Sequence, residues 1–487
     1  MAEDDLIALR KEKLERLRAR GIDPYPHRFS RSHTAAEAAA LAPEDGTGPE
    51  ATVAGRITGK RKMGKRTFLD LRDGSGQIQI SLTQDVLGED AYAMLKELDL
   101  ADFIGVQGSL FRTKTGEATV AADNLTVLAK ALRPPPEKYH GLQDVESRYR
   151  YRYLDLMANE EARRIFELRS KTISTVRRYL DDQGYLEVET PILVGTAGGA
   201  AAKPFVTHHN ALDRDFFLRV SLELHLKRLV IGGFDRVYEL GRIFRNEGVS
   251  TKYNPEFTLI ELYEAYADYE RMMEILEGLV ATIARDVLGS TKVQVGDQTI
   301  DLSPPWPRLP LREAIRERCG VDFMALSDVE SLRKATADTG VHVEAEWGRG
   351  KLIDELLTAH VEPHLQQPTF MIDYPVELSP LAKRKTDEAG LVERFEAFIC
   401  GREVANAFTE LNDPIDQRER FEEQARLRAA GDEEAEVADE DFLVALEHGM
   451  PPTGGMGIGI DRLLMVIAGV SSIREVILFP ALRDLND

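Results

Sequence analysis

Two short stretches carry residue types and spacings that could do chemistry on a nucleotide. In GGMGIGIDRL (Gly454 to Leu463) glycines recur at every second position, Gly455, Gly457 and Gly459. Period two is strand spacing, so one face of this segment is bare backbone while Met456, Ile458 and Ile460 occupy the other. Glycine inside a strand is costly and marks close approach by a ligand or another backbone, so a flat ring could lie there. The segment ends in Asp461-Arg462 where a phosphate loop would have Lys-Ser/Thr. A buried helix begins at that point, which sets the Arg462 guanidinium beside the bare face, to cover a purine or meet a phosphate. In YELGRIFRNEGVSTKYNPEFTLIELYEAY a strand, a loop over 246–255 and a returning strand follow one another. Arg245 and Glu247 are two apart and point to the same side, an arginine for an α-phosphate beside a carboxylate for the adenine amino group. Phe257 supplies the ring face opposite Arg462.

A third group is acidic. ICGREVANAFTELNDP (Ile399 to Pro414) presents Glu403, Asn406, Phe408 and Glu410, the last three on one strand face; SLELHLKRL adds Glu223, and the returning strand adds Glu261 and Tyr263. Several carboxylates with a tyrosine hydroxyl suit a substrate carrying two ammonium groups, which among amino acids means lysine. An aspartate or asparagine pocket would instead need cationic or amide donors. Taken singly, each feature also fits a surface glutamate, a hairpin salt bridge or close strand-to-helix packing.

These residues need elements to hold them. The chain has 487 residues with 43% apolar content, ordinary for a protein that buries sizeable cores. No apolar run approaches the roughly 18 residues of a membrane span, and the start, MAEDDLIALRKEKLERLRARG, is too charged for a signal peptide; a cytoplasmic location is expected. Two cysteines, Cys319 and Cys400, are too few for a disulfide framework or a thiolate metal site, so redox chemistry is not expected. A net charge of -21 opposes general nucleic-acid affinity and requires any polyanion to meet a local basic patch. GKRKMGKR (Gly59 to Arg66) is that patch, with five cations in seven residues. Phe68 lies on the following strand, Gln79 on its neighbour and Glu117 near the far edge.

The patterning predicts an N-terminal helical extension over 1–50, with Leu6, Leu9, Leu14 and Leu17 near helical spacing. A closed β-barrel of the OB type follows over 51–132, with five strands and one intervening helix. RPPPEKYHG opens a linker over 133–145. The remaining 146–487 mixes long helices and strands, giving an α+β architecture; in it LDDQGYLEVETPIL reads as a helix stopped by Gly184 and a strand ended by Pro191. The run GDEEAEVADED (Gly431 to Asp441) reads as a solvated acidic loop or helix face.

GYLEVETP, FRNE with its loop through NPEF, and GMGIGIDR, in that order, resemble the three signature motifs of class II aminoacyl-tRNA synthetases. RYRYRYLDL, THHNALD, KRLVIGGFDRVYELGRIFRNEG, SPLAKR, TELNDPIDQRERF and REVILFPALR extend the resemblance from about residue 51 to the C-terminus, within the bacterial lysyl-tRNA synthetase family. The resemblance implies an antiparallel sheet flanked by helices and a homodimer built through the first motif. It implies partners ATP, L-lysine and tRNA(Lys), with Mg²⁺ as cofactor. ATP would meet Arg245, Glu247, Asn254, Phe257, Glu403, Gly459 and Arg462, with Arg245 and Arg462 catalytic. Gly199 and Glu223 would hold the lysine α-amino group. Glu410 and Tyr263, supported by Glu261 and Asn406 with Phe408 in the pocket, would hold the ε-ammonium. Glu396 and Glu403 would bind Mg²⁺, converging only if a turn at Gly401 folds the chain between them. In the barrel Phe68 would stack on an anticodon base, with Arg61, Gln79 and Glu117 as further contacts. Three positions depart from the commonest family pattern: Lys203 for arginine, Tyr253 for histidine and His225 for tyrosine. Three other readings are a synthetase-derived regulator without activation, a lysyltransferase acting on elongation factor P, which lacks the barrel, and an aspartyl or asparaginyl enzyme, which the acidic pocket opposes.

Overall fold

The computed structural model describes residues 3–135, 142, 144–429 and 437–483, and the chain separates into two compact units, Met1–Gln143 and Asp144–Asp487. The expected linker over 133–145 and the acidic run at 431–441 lie partly outside the described residues. Among those residues no helix is long and apolar enough to cross a membrane.

The first unit begins with α1 (Glu3–Ala19) and α2 (Ala35–Leu41). Thr34 and Glu37 close a capping box at the start of α2, satisfying amide donors that the first helical turn leaves without partners. Strands β1 (Glu50–Met63), β2 (Arg66–Arg72), β3 (Gln77–Thr83), β4 (Phe103–Arg112) and β5 (Ala118–Ala129) close a barrel in the order β1-β2-β3-β5-β4. Alternating Val53, Ile57, Leu69, Leu71, Ile78 and Ile80 fill it, and Leu17, Ala35 and Ala38 join the same core. Where the pattern predicts one helix between β3 and β4 there are two short ones, Gln84–Leu87 and Glu89–Met94. Gly88, at φ 79°, separates them, a conformation glycine takes without steric cost.

The second unit is built on an eight-stranded sheet. Its strands are β6 (Leu186–Glu187), β7 (Arg236–Phe244), β8 (Glu256–Ala265), β9 (Arg308–Pro310), β10 (Thr369–Pro375), β11 (Leu391–Ile399), β12 (Arg402–Thr409) and β13 (Thr453–Gly459), in the order β9-β10-β11-β12-β13-β8-β7-β6. The six inner strands pair antiparallel, and each edge adds a short parallel strand. One face is apolar: Met456, Ile458, Ala405, Ala407, Ile260 and Phe395 pack under α3 (Glu160–Asp182), α5 (Tyr269–Ile283) and α6 (Ile460–Ala468). Burial on this scale contributes about 25 cal/mol per Å² of apolar surface, so the face that meets the helices fixes the strand register. The opposite face carries the polar residues, with α4 (Glu223–Ile231) against β7 and β8.

Candidate active site

Register brings the predicted residues together in rows. On β8 Tyr263 and Glu261 lie opposite Gly455 and Gly457 of β13, and on β12 Phe408 and Asn406 lie opposite the same two glycines. Directly opposed residues share a face, so Tyr263, Gly455 and Phe408 form one row and Glu261, Gly457 and Asn406 the next. Glu396 on β11 extends the second row, being opposite Asn406.

The glycines are not equivalent. A Cβ at Gly455 would collide with Oε1 of Glu410 and stand 2.5 Å from Cε1 of Tyr263; at Gly457 the nearest atom would be 3.6 Å away, and at Gly459 3.8 Å. The sequence reads all three as one bare floor. In the structure Gly455 makes room for the acidic pocket, and only Gly457 and Gly459 leave open backbone. Ile460, expected on the strand, is already the first residue of α6.

The acidic pocket closes around Gly455. Glu410, Glu223 and Glu261 are buried. Glu261 accepts from Ser221 Oγ and the Leu222 N–H, both at 3.0 Å, and from the Tyr263 hydroxyl at 3.2 Å. Burial and the nearby Glu223 charge push the Glu261 carboxyl up to about 7. Gly199, at φ 84°, brings its backbone against Glu223, where a Cβ would be 3.3 Å from that of Glu223. A residue that the sequence reading missed lies between the carboxylates. The Lys227 ammonium is fully buried, 2.5 Å from Glu223 Oε1 and in direct contact with Glu410 Oε2. Its i,i+4 spacing from Glu223 was visible in ELHLK; the Glu410 partner, far along the chain, was not.

The nucleotide side differs from expectation in its pairings. Arg245 and Glu247 fall beyond the end of β7, at the start of the loop, and are not on a strand face. The Arg245 guanidinium lies over Phe257 at 5.3 Å, whereas Arg462 covers Tyr253 at 5.7 Å. Desolvation lowers the Arg245 pKa, opposed first by Glu247 and then by Glu403; a guanidinium stays charged in either case. Arg462 donates to both the carbonyl and the carboxylate of Glu403, each at 2.9 Å. Asp461, its neighbour, points away and is buried against Arg169 and the Thr258 N–H. Asn254 is occupied by backbone, donating to the Glu256 carbonyl and accepting from the Ala481 N–H. It shapes the loop.

Glu396 and Glu403 stand either side of a tight turn at Cys400 and Gly401, whose φ values of 55° and 65° reverse the chain within two residues. Glu396 is held by the Tyr374 hydroxyl at 2.9 Å and by Arg394 at 2.6 Å. Burial first, then the Glu403 charge, push it up to about 7. Two hard carboxylates in each other's field, one destabilised by burial, fit a divalent cation that keeps most of its ligands as phosphate and water. No group of three or more His, Cys, Asp or Glu that could hold a metal occurs among the described residues. Of the three departures, Lys203 is exposed and its carbonyl accepts from the Asn246 N–H at 2.7 Å. His225 is half-buried with its pKa lowered by desolvation.

Comparison with known proteins agrees with this geometry. Residues 144–483 match a family model described as tRNA synthetases class II (D, K and N), and residues 51–128 match an OB-fold nucleic acid binding domain. The chain is 55% identical to the lysine–tRNA ligase of Moorella thermoacetica over 482 residues, covering 99% of this chain and 98% of that one. It is 53% identical to the corresponding ligase of Dehalococcoides mccartyi over 493 residues, 100% of this chain and 99% of that one. Against that of Bacillus subtilis it is 52% identical over 486 residues, 99% and 97%. The chain belongs to the lysine–tRNA ligase family of class II tRNA synthetases.

As in that family, the chain pairs an OB-fold barrel with an α+β catalytic unit. On the barrel of this family member Arg61, Phe68, Gln79 and Glu117 line one cavity of about 460 Å³, with Met63, Asp70 and Thr115. Asp70 was not foreseen. It holds Arg61 by two bonds of 3.0 and 2.8 Å, and Gly59 is required beneath it because a Cβ there would collide with its carboxylate. Gln79 donates to Glu117 at 2.9 Å and accepts from Thr119 at 3.1 Å. The basic run is smaller than its composition: Lys60 turns its Nζ onto the carbonyls of Leu95 and Leu98, at 2.5 and 2.7 Å. That desolvation lowers its pKa.

Proposed function

We propose that this chain activates L-lysine with ATP and transfers it to the 3'-terminal adenosine of tRNA(Lys). The observation that carries the reading is the paired rows across β13. One, with Glu410, closes an acidic, tyrosine-lined pocket over Gly455; the next sets Gly457 between Glu261 and Asn406, and beyond it Gly459 leaves open backbone bordered by Arg462. A ligand with two ammonium groups and a flat purine thus find adjoining sites on one sheet.

In the first step a lysine carboxylate oxygen attacks the α-phosphorus, an O–P bond forms, and the bond to pyrophosphate breaks. Arg245, at the mouth of the loop, offsets the charge that gathers on the phosphoryl oxygens, and Arg462 covers the nucleotide. Glu223 with the Gly199 backbone holds the α-amino group; Glu410, Tyr263 and Glu261 hold the ε-ammonium, so the carboxylate is presented in line. Glu396 and Glu403 would hold Mg²⁺, which when bound neutralises phosphate charge. In the second step a ribose hydroxyl of the terminal adenosine attacks the acyl carbon, an ester forms and AMP leaves. The enzyme supplies position, and no protein nucleophile is required.

The cavity at Phe68 is the anticodon site in this reading, with the aromatic ring for stacking and the flanking polar groups for base edges. Leu186, Ile192, Leu193 and Val206, exposed around the first motif, support a homodimer. The location is cytoplasmic. The test is amino-acid-dependent ATP/pyrophosphate exchange with Mg²⁺, each of the twenty amino acids assayed alone. Exchange with lysine only is expected; exchange with aspartate or asparagine, or none from folded protein that binds tRNA, refutes the reading.

A further inference from the structure

Lys227 has no part in the steps above, yet it is the cation buried among the carboxylates that read the substrate. It lies on α4 with Nζ 2.5 Å from Glu223 Oε1 and touching Glu410 Oε2. The rings of Phe408 and Phe442 lie 5.5 and 5.9 Å away and exclude water from it. Across the pocket Glu261 and Tyr263 of β8 complete the polar wall, their own bond holding both in place. Glu410 Oε1, the oxygen turned away from Lys227, is buried without a hydrogen-bond partner, as expected of a group that awaits a donor.

The charge count is informative. Arg394 is matched to Glu396 at 2.6 Å and Arg462 to Glu403 at 2.9 Å. Lys227 is then the cation in direct contact with Glu223 and Glu410. We propose that Lys227 is a specificity-determining positioning residue. Its ammonium ties Glu223 to Glu410 and offsets part of the buried acidic charge, so that these two groups are kept as acceptors for the ammonium groups of lysine.

This rests on the lysine-activating reading. The physical reason is that buried carboxyls lose charge unless they are paired. Desolvation raises Glu410 and Glu223, and Lys227 is the first opposing influence on each; Glu223 and Glu410 together raise Lys227, against desolvation, so it stays charged. Without Lys227 the Glu223 and Glu410 carboxyls would take up protons more readily and offer hydroxyls where charge-assisted acceptors are needed. Tying the two carboxylates also sets the distance at which a substrate's two ammonium groups must present themselves.

The experiment is lysine-dependent pyrophosphate exchange by the full chain carrying Lys227→Met, Lys227→Arg or no substitution, at pH 6 to 9, with thermal melts of each. For Lys227→Met we expect the lysine KM to rise at least about tenfold at neutral pH, equivalent to a carboxyl pKa moved by one unit, and to recover as pH increases. The kcat should change little, and Lys227→Arg should restore most of the loss. An unchanged lysine KM and pH profile in Lys227→Met, with or without a lowered Tm, overturns the proposal. Should the variants not fold, a crystal structure of the unsubstituted chain with lysine decides. Lys227 must still bridge Glu223 and Glu410; an ammonium displaced from them by the substrate overturns it. Absence of lysine-dependent exchange in the unsubstituted chain would instead refute the functional reading.

Discussion

Alanine at Gly455 and at Gly457 should separate the two halves of the first step. At Gly455 the new methyl meets Glu410 Oε1 and the Tyr263 ring; Tyr263 is buried, so the Glu410 carboxylate, held by Lys227, is the group that must give way. Glu410 must swing off the ε-ammonium, and the loss of one hydrogen bond to a charged group costs about 1.5–3 kcal/mol. That is roughly a 10- to 150-fold increase in lysine KM. Overpacking removes a further 1–3 kcal/mol or so of stability, visible as a lower Tm. At Gly457 the methyl has room, the nearest atom being the Glu261 Cγ at 3.6 Å, and in the proposed reading it would project from the floor that takes the nucleotide. Gly457→Ala should fold normally and raise the ATP KM more than the lysine KM. Initial-rate exchange with each substrate varied in turn reads both constants. A lysine KM unchanged in Gly455→Ala while the ATP KM rises would refute the division of the strand.

Four other outcomes are expected. Glu410→Gln, which keeps shape but removes charge, should raise the lysine KM by about tenfold or more, measured by the same exchange. Glu261 and Glu396 are each pushed from 4.5 up to about 7. Each is protonated in the folded chain where the unfolded chain has lost its proton, so stability of the ligand-free protein should fall as pH rises from about 4.5 through about 7; lysine should restore it, and melts with and without lysine across that window check the sign. Glu403→Gln should raise the Mg²⁺ concentration needed for half-maximal exchange, as a titration of Mg²⁺ at fixed ATP would reveal. Phe68→Ala should raise the tRNA KM by roughly 5- to 150-fold, the worth of one base stacked on an aromatic ring, read in aminoacylation.

The parts of the site that lie on regular strands were legible because period two is local information. Glu261 with Tyr263, and Asn406 with Phe408, were each assigned to a shared face from spacing alone, and β8, β12 and β13 place them so. What sequence could not supply were partners distant along the chain or just past a strand end. Arg245 and Glu247 look like strand neighbours, but β7 stops at Phe244, so alternation no longer governs where they point. Phe257 was read as the ring face opposite Arg462, and nothing in the spacing signalled that the Arg245 guanidinium also lies over it. The five-cation run in the barrel counted Lys60 as surface, since nothing nearby signals that the carbonyls of Leu95 and Leu98 take its ammonium.

The two rows across β13 have an evolutionary consequence. In the proposed reading the contacts on the open stretch at Gly457 and Gly459 would be made by backbone, which is indifferent to the identity of neighbouring side chains. The amino-acid pocket is assembled by side chains from α4, β8 and β12 converging over Gly455. Replacing those side chains would re-address the pocket to a different amino acid while leaving Arg245, Arg462 and the strand beneath the purine untouched. One sheet could in this way serve amino acids of opposite charge over the same nucleotide floor.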